Sequence, residues 1–82
     1  MKNIKVYLIE PSKSGDTGGD MHTIREFKSI RPAKSLAAKI SLTKEYKGFQ
    51  VYESFVEELD DDFEPVFQQW YKNGECIFNM YD

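Results

Sequence analysis

The chain has 82 residues, 40% of them hydrophobic and 15% aromatic, with 11 Lys and Arg against 14 Asp and Glu. A chain of this length forms one domain, residues 1–82, that buries about 60–65% of its unfolded surface: room for one thin core, not for a deep substrate cavity. The composition argues against disorder, and the net charge of −3 argues against direct nucleic-acid binding, since readers of this size are usually basic.

Charge is unevenly spread. Residues 1–48 hold ten Lys and Arg against five Asp and Glu, and residues 49–82 hold one against nine. The lone cysteine, Cys76, has no intramolecular partner and lies in an apolar run, so it reads as a small core residue in a reducing, cytoplasmic protein. The first residues alternate as a strand does and carry no long apolar run. Neither a signal peptide nor a membrane span is expected, and the mature chain is expected to begin at Met1.

Lys2 to Glu10 alternates, with Ile4, Val6 and Leu8 on one side and Lys5, Tyr7 and Ile9 on the other, which predicts a strand. Pro11 to Asp20 (PSKSGDTGGD) is rich in turn formers and reads as a flexible hairpin loop; no phosphate-loop pattern accompanies its glycines. Met21 to Lys28 is a second strand, with Met21, Thr23, Arg25 and Phe27 opposite His22, Ile24, Glu26 and Lys28. His22, the only histidine, reads as an edge residue, because no second histidine or Cys-x-x-Cys supplies a metal site.

Ser29 to Leu42 carries the one clear helical signature. Ile30, Ala33, Leu36, Ala37 and Ile40 form a stripe, and Arg31, Lys34, Ser35 and Lys39 lie opposite. Ser29 suits the N-cap, Pro32 is tolerated in the first turn, and the alanines suggest close approach to a sheet. Thr43 to Gly48 is a turn out of the helix. Phe49 to Glu58 is a third strand, with Phe49, Val51 and Phe55 on one face and Tyr52 and Val56 on the other. Leu59 to Glu64 (LDDDFE) is an acidic turn, after which Pro65 opens a fourth strand.

Asn73-Gly74 between aromatic runs predicts a two-residue type I′ hairpin. The expected register sets Lys72 against Glu75, Tyr71 against Cys76, Trp70 against Ile77, Gln69 against Phe78 and Phe67 against Met80. Phe67, Tyr71, Cys76, Phe78 and Met80 would then face the helix, leaving Val66, Trp70, Ile77 and Tyr81 with Gln68 and Asn79 on the other side. The fold class is α+β: a mostly antiparallel five-stranded sheet (ββαβββ) with one helix across one face. One helix cannot cover both faces, so aromatics on the bare face would mark a partner or a dimer seam.

Two charged groups are candidate contacts. Glu57, Glu58, Asp60, Asp61, Asp62 and Glu64 crowd one turn without the glycine and spacing of a calcium loop; they form either a solvated tip or a mimic of nucleic-acid charge. Arg31, Lys34 and Lys39, with Lys28 and Lys44, give the helix a basic face that either meets phosphates or simply stays solvated. The carboxylates lack the burial that acid-base catalysis requires. No enzyme activity, cofactor or metal is expected.

The strand ending in Phe27, the Ser29-capped helix with Ala33-Lys34 and Ala37-Ala38-Lys39, Gly48, and the hairpin Tyr71 to Phe78 around Asn73-Gly74 resemble small phage anti-CRISPR proteins. The similarity is to a type I-F inhibitor of five antiparallel strands and a helix, over roughly residues 22–81. It implies a non-enzymatic inhibitor, monomeric or a small homo-oligomer in a bacterial cytoplasm, that binds a host CRISPR-Cas complex and blocks its nucleic-acid binding. The matching helix positions are Arg31, Lys34 and Lys39. The acidic turn and the long first loop depart from the likeness. Beside the helix positions, the further candidate contacts are Glu57, Glu58, Asp60, Asp61 and Asp62 of the acidic cluster and Trp70 of the last hairpin. The alternative is a small nucleic-acid-binding or regulatory domain that stacks bases on Tyr52, Trp70 and Tyr81.

Overall fold

The computed structural model describes residues 3–81, Tyr81 in its backbone alone. Its elements are β1 (Asn3–Pro11), β2 (Gly18–Phe27), α1 (Ile30–Ser41), β3 (Glu45–Tyr46), β4 (Phe49–Gln50), β5 (Glu53–Leu59), β6 (Pro65–Lys72) and β7 (Glu75–Tyr81). Five strands form an antiparallel sheet in the order β2-β1-β5-β6-β7, and α1 lies across one face of it, mainly over β1 and β5. This is the α+β arrangement the sequence pattern predicts. β3 and β4 make a separate two-stranded hairpin.

The alternation of β1 places Ile4, Val6 and Leu8 under the helix, all fully buried. Ala33, Ala37 and Ile40 meet them from α1, with Ile30 and Leu36 at the margin. Because alanine adds little bulk, the helix backbone approaches the sheet closely enough for the buried Ser54 hydroxyl to donate to the Ala37 carbonyl. Ser29 occupies the N-cap with extended backbone, but its hydroxyl makes no capping hydrogen bond. At the other end, Ser41 Oγ donates to the Ala38 carbonyl and accepts from the Gly74 amide at 2.8 Å, which ties the helix to the β6–β7 turn.

Several expectations need correction. Phe49 to Glu58 is not one strand: Lys47 and Gly48 both have positive φ (51° and 87°) and close the β3–β4 hairpin, and the chain bends at Val51-Tyr52, where the Tyr52 amide donates to the Ile9 carbonyl at 2.8 Å. The bend moves Phe55 to the opposite side of the sheet from that of Phe49 and Val51, which pack toward the main core. The first loop shrinks to residues 12–17, since Gly18 and Gly19 belong to β2.

The remaining corrections come from bulges. Pairing jumps from Val6–Arg25 to Tyr7–Thr23, leaving Ile24 as an extra residue and joining Phe27, Arg25 and His22 to the helix side. In the last hairpin Lys72–Glu75 and Tyr71–Cys76 pair as expected, but the next pairs are Trp70–Phe78, Gln69–Asn79, Gln68–Met80 and Phe67–Tyr81. The extra residue is Ile77. Phe78 and Met80 therefore turn away from the helix, contrary to the unbroken alternation. Cys76, expected in the core, is exposed on the edge strand.

Candidate interaction face

Among the described residues, no element covers the face of the sheet opposite α1. Across it, Tyr7 of β1, Phe55 of β5, Trp70 of β6 and Phe78 of β7 are consecutive cross-strand partners. Tyr7 and Phe55 stack with ring centroids 4.5 Å apart and planes 17° apart; Phe55 and Trp70 stack at 4.1 Å and 13°. These spacings are close to the ~4.8 Å between neighbouring strands, so each ring stands on its strand and covers the face of the next. That mutual cover explains why Phe55 is 4% exposed and Tyr7 9% exposed on an unroofed surface. At one end of the row, Tyr52 packs on the same cluster and donates from its hydroxyl to the Asp16 carbonyl at 3.0 Å. At the other end the cover fails: Phe78 is 52% exposed and the bulged Ile77 is 51% exposed.

A polar chain runs beside the rings. Trp70 Nε1 donates to Gln68 Oε1 at 3.2 Å, Gln68 Nε2 donates to Glu57 Oε2, and the Tyr7 hydroxyl points at Glu57 Oε1 at 3.5 Å. Burial, reinforced by the Glu57 charge and by the contact with its carboxylate, holds the Tyr7 phenol above its usual pKa. The chain fixes the orientation of both outer members of the stack. Between β6 and β7, Glu53, Gln68, Trp70, Ile77 and Phe78 line an open groove of about 410 Å³. The register sets Glu26, Glu53, Glu57 and Glu75 on this face with Lys5 and Lys72, and Lys72 Nζ lies 3.6 Å above the Tyr52 ring. The uncovered face is thus aromatic at its centre and acidic in balance.

The candidate contacts from the sequence fall into separate places. Glu57 and Trp70 belong to the open face. Arg31 and Lys39 are exposed on the outer side of α1, with Lys34 partly buried beside them. Glu58 lies on the helix side of β5, between Ile4 and Phe67. Asp60 is committed to the turn itself, its Oδ1 accepting from the amides of Asp62 (2.9 Å) and Glu64 (3.0 Å). Asp61, Asp62 and Phe63 project from that turn into solvent. His22 stacks on Phe49 at 3.9 Å and pairs with Glu10 at 2.6 Å on the edge strand. Among the described residues, no three His, Cys, Asp or Glu side chains converge as a metal site would require.

Sequence reading missed Tyr7, Phe55 and Phe78 as one feature. Their chemistry was visible, but the row exists only once the strand order and both irregularities in β4–β7 are known. The chain matches no protein-family model, and no curated protein or solved structure is significantly similar to it. Among the described residues, no helix is long and apolar enough to cross a membrane.

Proposed function

We propose that the chain is a non-enzymatic inhibitor from a phage or mobile element that binds a host CRISPR-Cas complex in the bacterial cytoplasm and blocks its nucleic-acid binding. The identity of the partner rests on the resemblance carried by Phe27, Ser29 to Lys39, Gly48 and the Asn73-Gly74 hairpin. The mode of action rests on one observation: a preformed aromatic row, bordered by carboxylates, on a sheet face that no described element covers. A surface of that kind suits a protein patch that normally receives an anionic polymer, because the glutamates supply negative charge where phosphates would lie. The rings supply the apolar anchor that makes such contacts tight.

The same geometry weighs against the alternative of base stacking. Stacking platforms present ring faces to incoming bases. Here the faces between Tyr7, Phe55 and Trp70 are taken by each other, Tyr52 holds Lys72, and the surrounding glutamates repel phosphates. In the test, the tagged chain is used to capture proteins from lysate of a CRISPR-bearing host, beside a Phe78→Glu variant and an Arg31→Ala variant. The expected result is recovery of Cas subunits by wild type and by Arg31→Ala, and their loss with Phe78→Glu. A salt-dependent shift of labelled DNA by the isolated chain, with no Cas subunit recovered, overturns the proposal in favour of a nucleic-acid-binding domain.

A further inference from the structure

The groove between β6 and β7 contains a carboxylate with no internal partner. Glu53 is partly buried, lines the groove beside Trp70, Gln68, Ile77 and Phe78, and makes no hydrogen bond or ion pair with any described residue. The nearest lysine along the sheet, Lys72, is engaged on the Tyr52 ring instead. A partly buried carboxylate without a partner among the described residues, set beside apolar and aromatic side chains, is complementary to a cation. The flank of Trp70 away from Phe55 borders the same groove, so that cation also meets an indole. A planar guanidinium satisfies both at once, pairing with a carboxylate and stacking on an aromatic face, whereas an ammonium is a strongly hydrated point charge. The groove's 410 Å³ lies within the ~300–1,000 Å³ of ordinary ligand clefts.

We infer that the β6–β7 groove is a docking site for an arginine side chain of a partner protein, with Glu53 as its counter-ion and Trp70 and Phe78 as its walls. This deepens the function proposed above and rests on it, since arginines are what a nucleic-acid-binding surface would offer.

Trp70 is the only tryptophan in the chain, so its fluorescence reports on the groove directly. The probes are blocked tripeptides Gly-Arg-Gly, Gly-Lys-Gly and Gly-Glu-Gly, titrated into the full chain with amide chemical shifts recorded in parallel. The arginine peptide is expected to give a saturable change in Trp70 emission at about 1–10 mM, as suits one isolated side chain, with shifts concentrated on β6 and β7. The lysine peptide should bind several-fold more weakly and the glutamate peptide not at all. Glu53→Gln, which keeps the shape of the side chain, should weaken the arginine peptide about tenfold while leaving the spectrum of the fold unchanged. Equal responses to arginine and lysine, no response from wild type, or no effect of Glu53→Gln each overturn the inference. If the peptide fails but Phe78→Glu still abolishes Cas capture, only the arginine site falls; if wild type captures no Cas subunit either, the parent reading falls with it.

Discussion

The two faces of the sheet are built from the same strands and are made dry by different means. Under α1, the seal is a second layer: Ile4, Val6, Leu8 and Val56 are aliphatic, fully buried and roofed by Ala33, Ala37 and Ile40. The polar groups there close their bonds internally, with the Tyr71 hydroxyl donating to Gln69 Oε1 at 2.6 Å and Gln69 Nε2 donating to Asn79 Oδ1 at 2.8 Å. On the other face no second layer is formed by the described residues, and the rings cover one another sideways. Branched aliphatics cannot do this, because they have no flat surface that matches the distance between strands. The contrast teaches that an uncovered sheet face need not be wet at its centre: the row of rings is dry from Tyr7 to Phe55 and becomes wet at Phe78, on the edge strand. A partner would meet a rigid, already desolvated surface and would pay little ordering entropy on binding.

The largest effect that tests this contrast is on the covered face. Leu8→Ala removes a fully buried side chain whose surroundings are held by both sheet and helix, so it should cost about 3 kcal/mol in urea unfolding. A loss below about 1 kcal/mol would mean that the helix side is loosely packed and the distinction unfounded. Next comes Phe55→Leu at the centre of the row. It keeps an apolar side chain but removes two stacked contacts, so a loss of about 1–2 kcal/mol is expected, together with a red shift of Trp70 emission as water reaches its uncovered face. Unchanged emission would show that the rings do not depend on each other for cover.

Gly74→Ala tests the joint that holds the two layers in register. Gly74 has φ of +83°, and a Cβ there would lie 2.6 Å from a terminal methyl of Leu42, which is flexible enough to move. The backbone strain remains, so the expected cost is about 1 kcal/mol, read as a lower urea midpoint with the same slope. A neutral result would show that the turn adapts to a side chain at this position without strain.

That turn was legible in the sequence, as were the helix stripe, the β1 alternation and the class of fold, because each follows from a few neighbouring residues. The open face was not. Ile24 and Ile77 are bulged for reasons that lie in both paired strands, and each bulge reverses the side on which every later residue points. Extending a period of two through Ile77 therefore hides Phe78 beneath the helix. Lys47-Gly48 is a second positive-φ turn without the Asn that usually announces one, so the sequence pattern shows neither β3 nor the side on which Phe55 points. The apolar neighbours of Cys76 suggest a core position, but they sit on an edge strand that α1 hardly reaches. Of the candidate contacts, Trp70 and Glu57 could be singled out by type, whereas their membership of one surface required the strand order.

Tyr7 gives a smaller effect, visible only in alkali. Its phenol is held above the ordinary value near 10 by burial and by Glu57, so the native state binds the proton more tightly than the unfolded chain. The resulting stability is fully present below the unfolded pKa and is lost as pH rises through the higher native one. Urea unfolding from about pH 9 to 11 should therefore show wild type losing more stability than Tyr7→Phe, with the two nearly equal at neutral pH. Parallel curves would mean that the Tyr7 hydroxyl reaches water freely and that this end of the row is open.

The smallest expected change in stability accompanies the largest change in binding. Phe78 ends the row with half its surface in water, on an edge strand where it pairs with Trp70 alone, so Phe78→Ser should alter stability by no more than about 0.5 kcal/mol. If the proposed Cas partner docks at the open end, the same substitution should abolish its capture, because the exposed ring supplies an anchor that nothing inside the chain needs. Arg31→Ala, on the far side of α1, should leave both stability and capture as they are. The reverse pattern, with capture lost through Arg31 and kept without Phe78, would move the contact from the uncovered sheet to the back of the helix and leave the aromatic row as a second core.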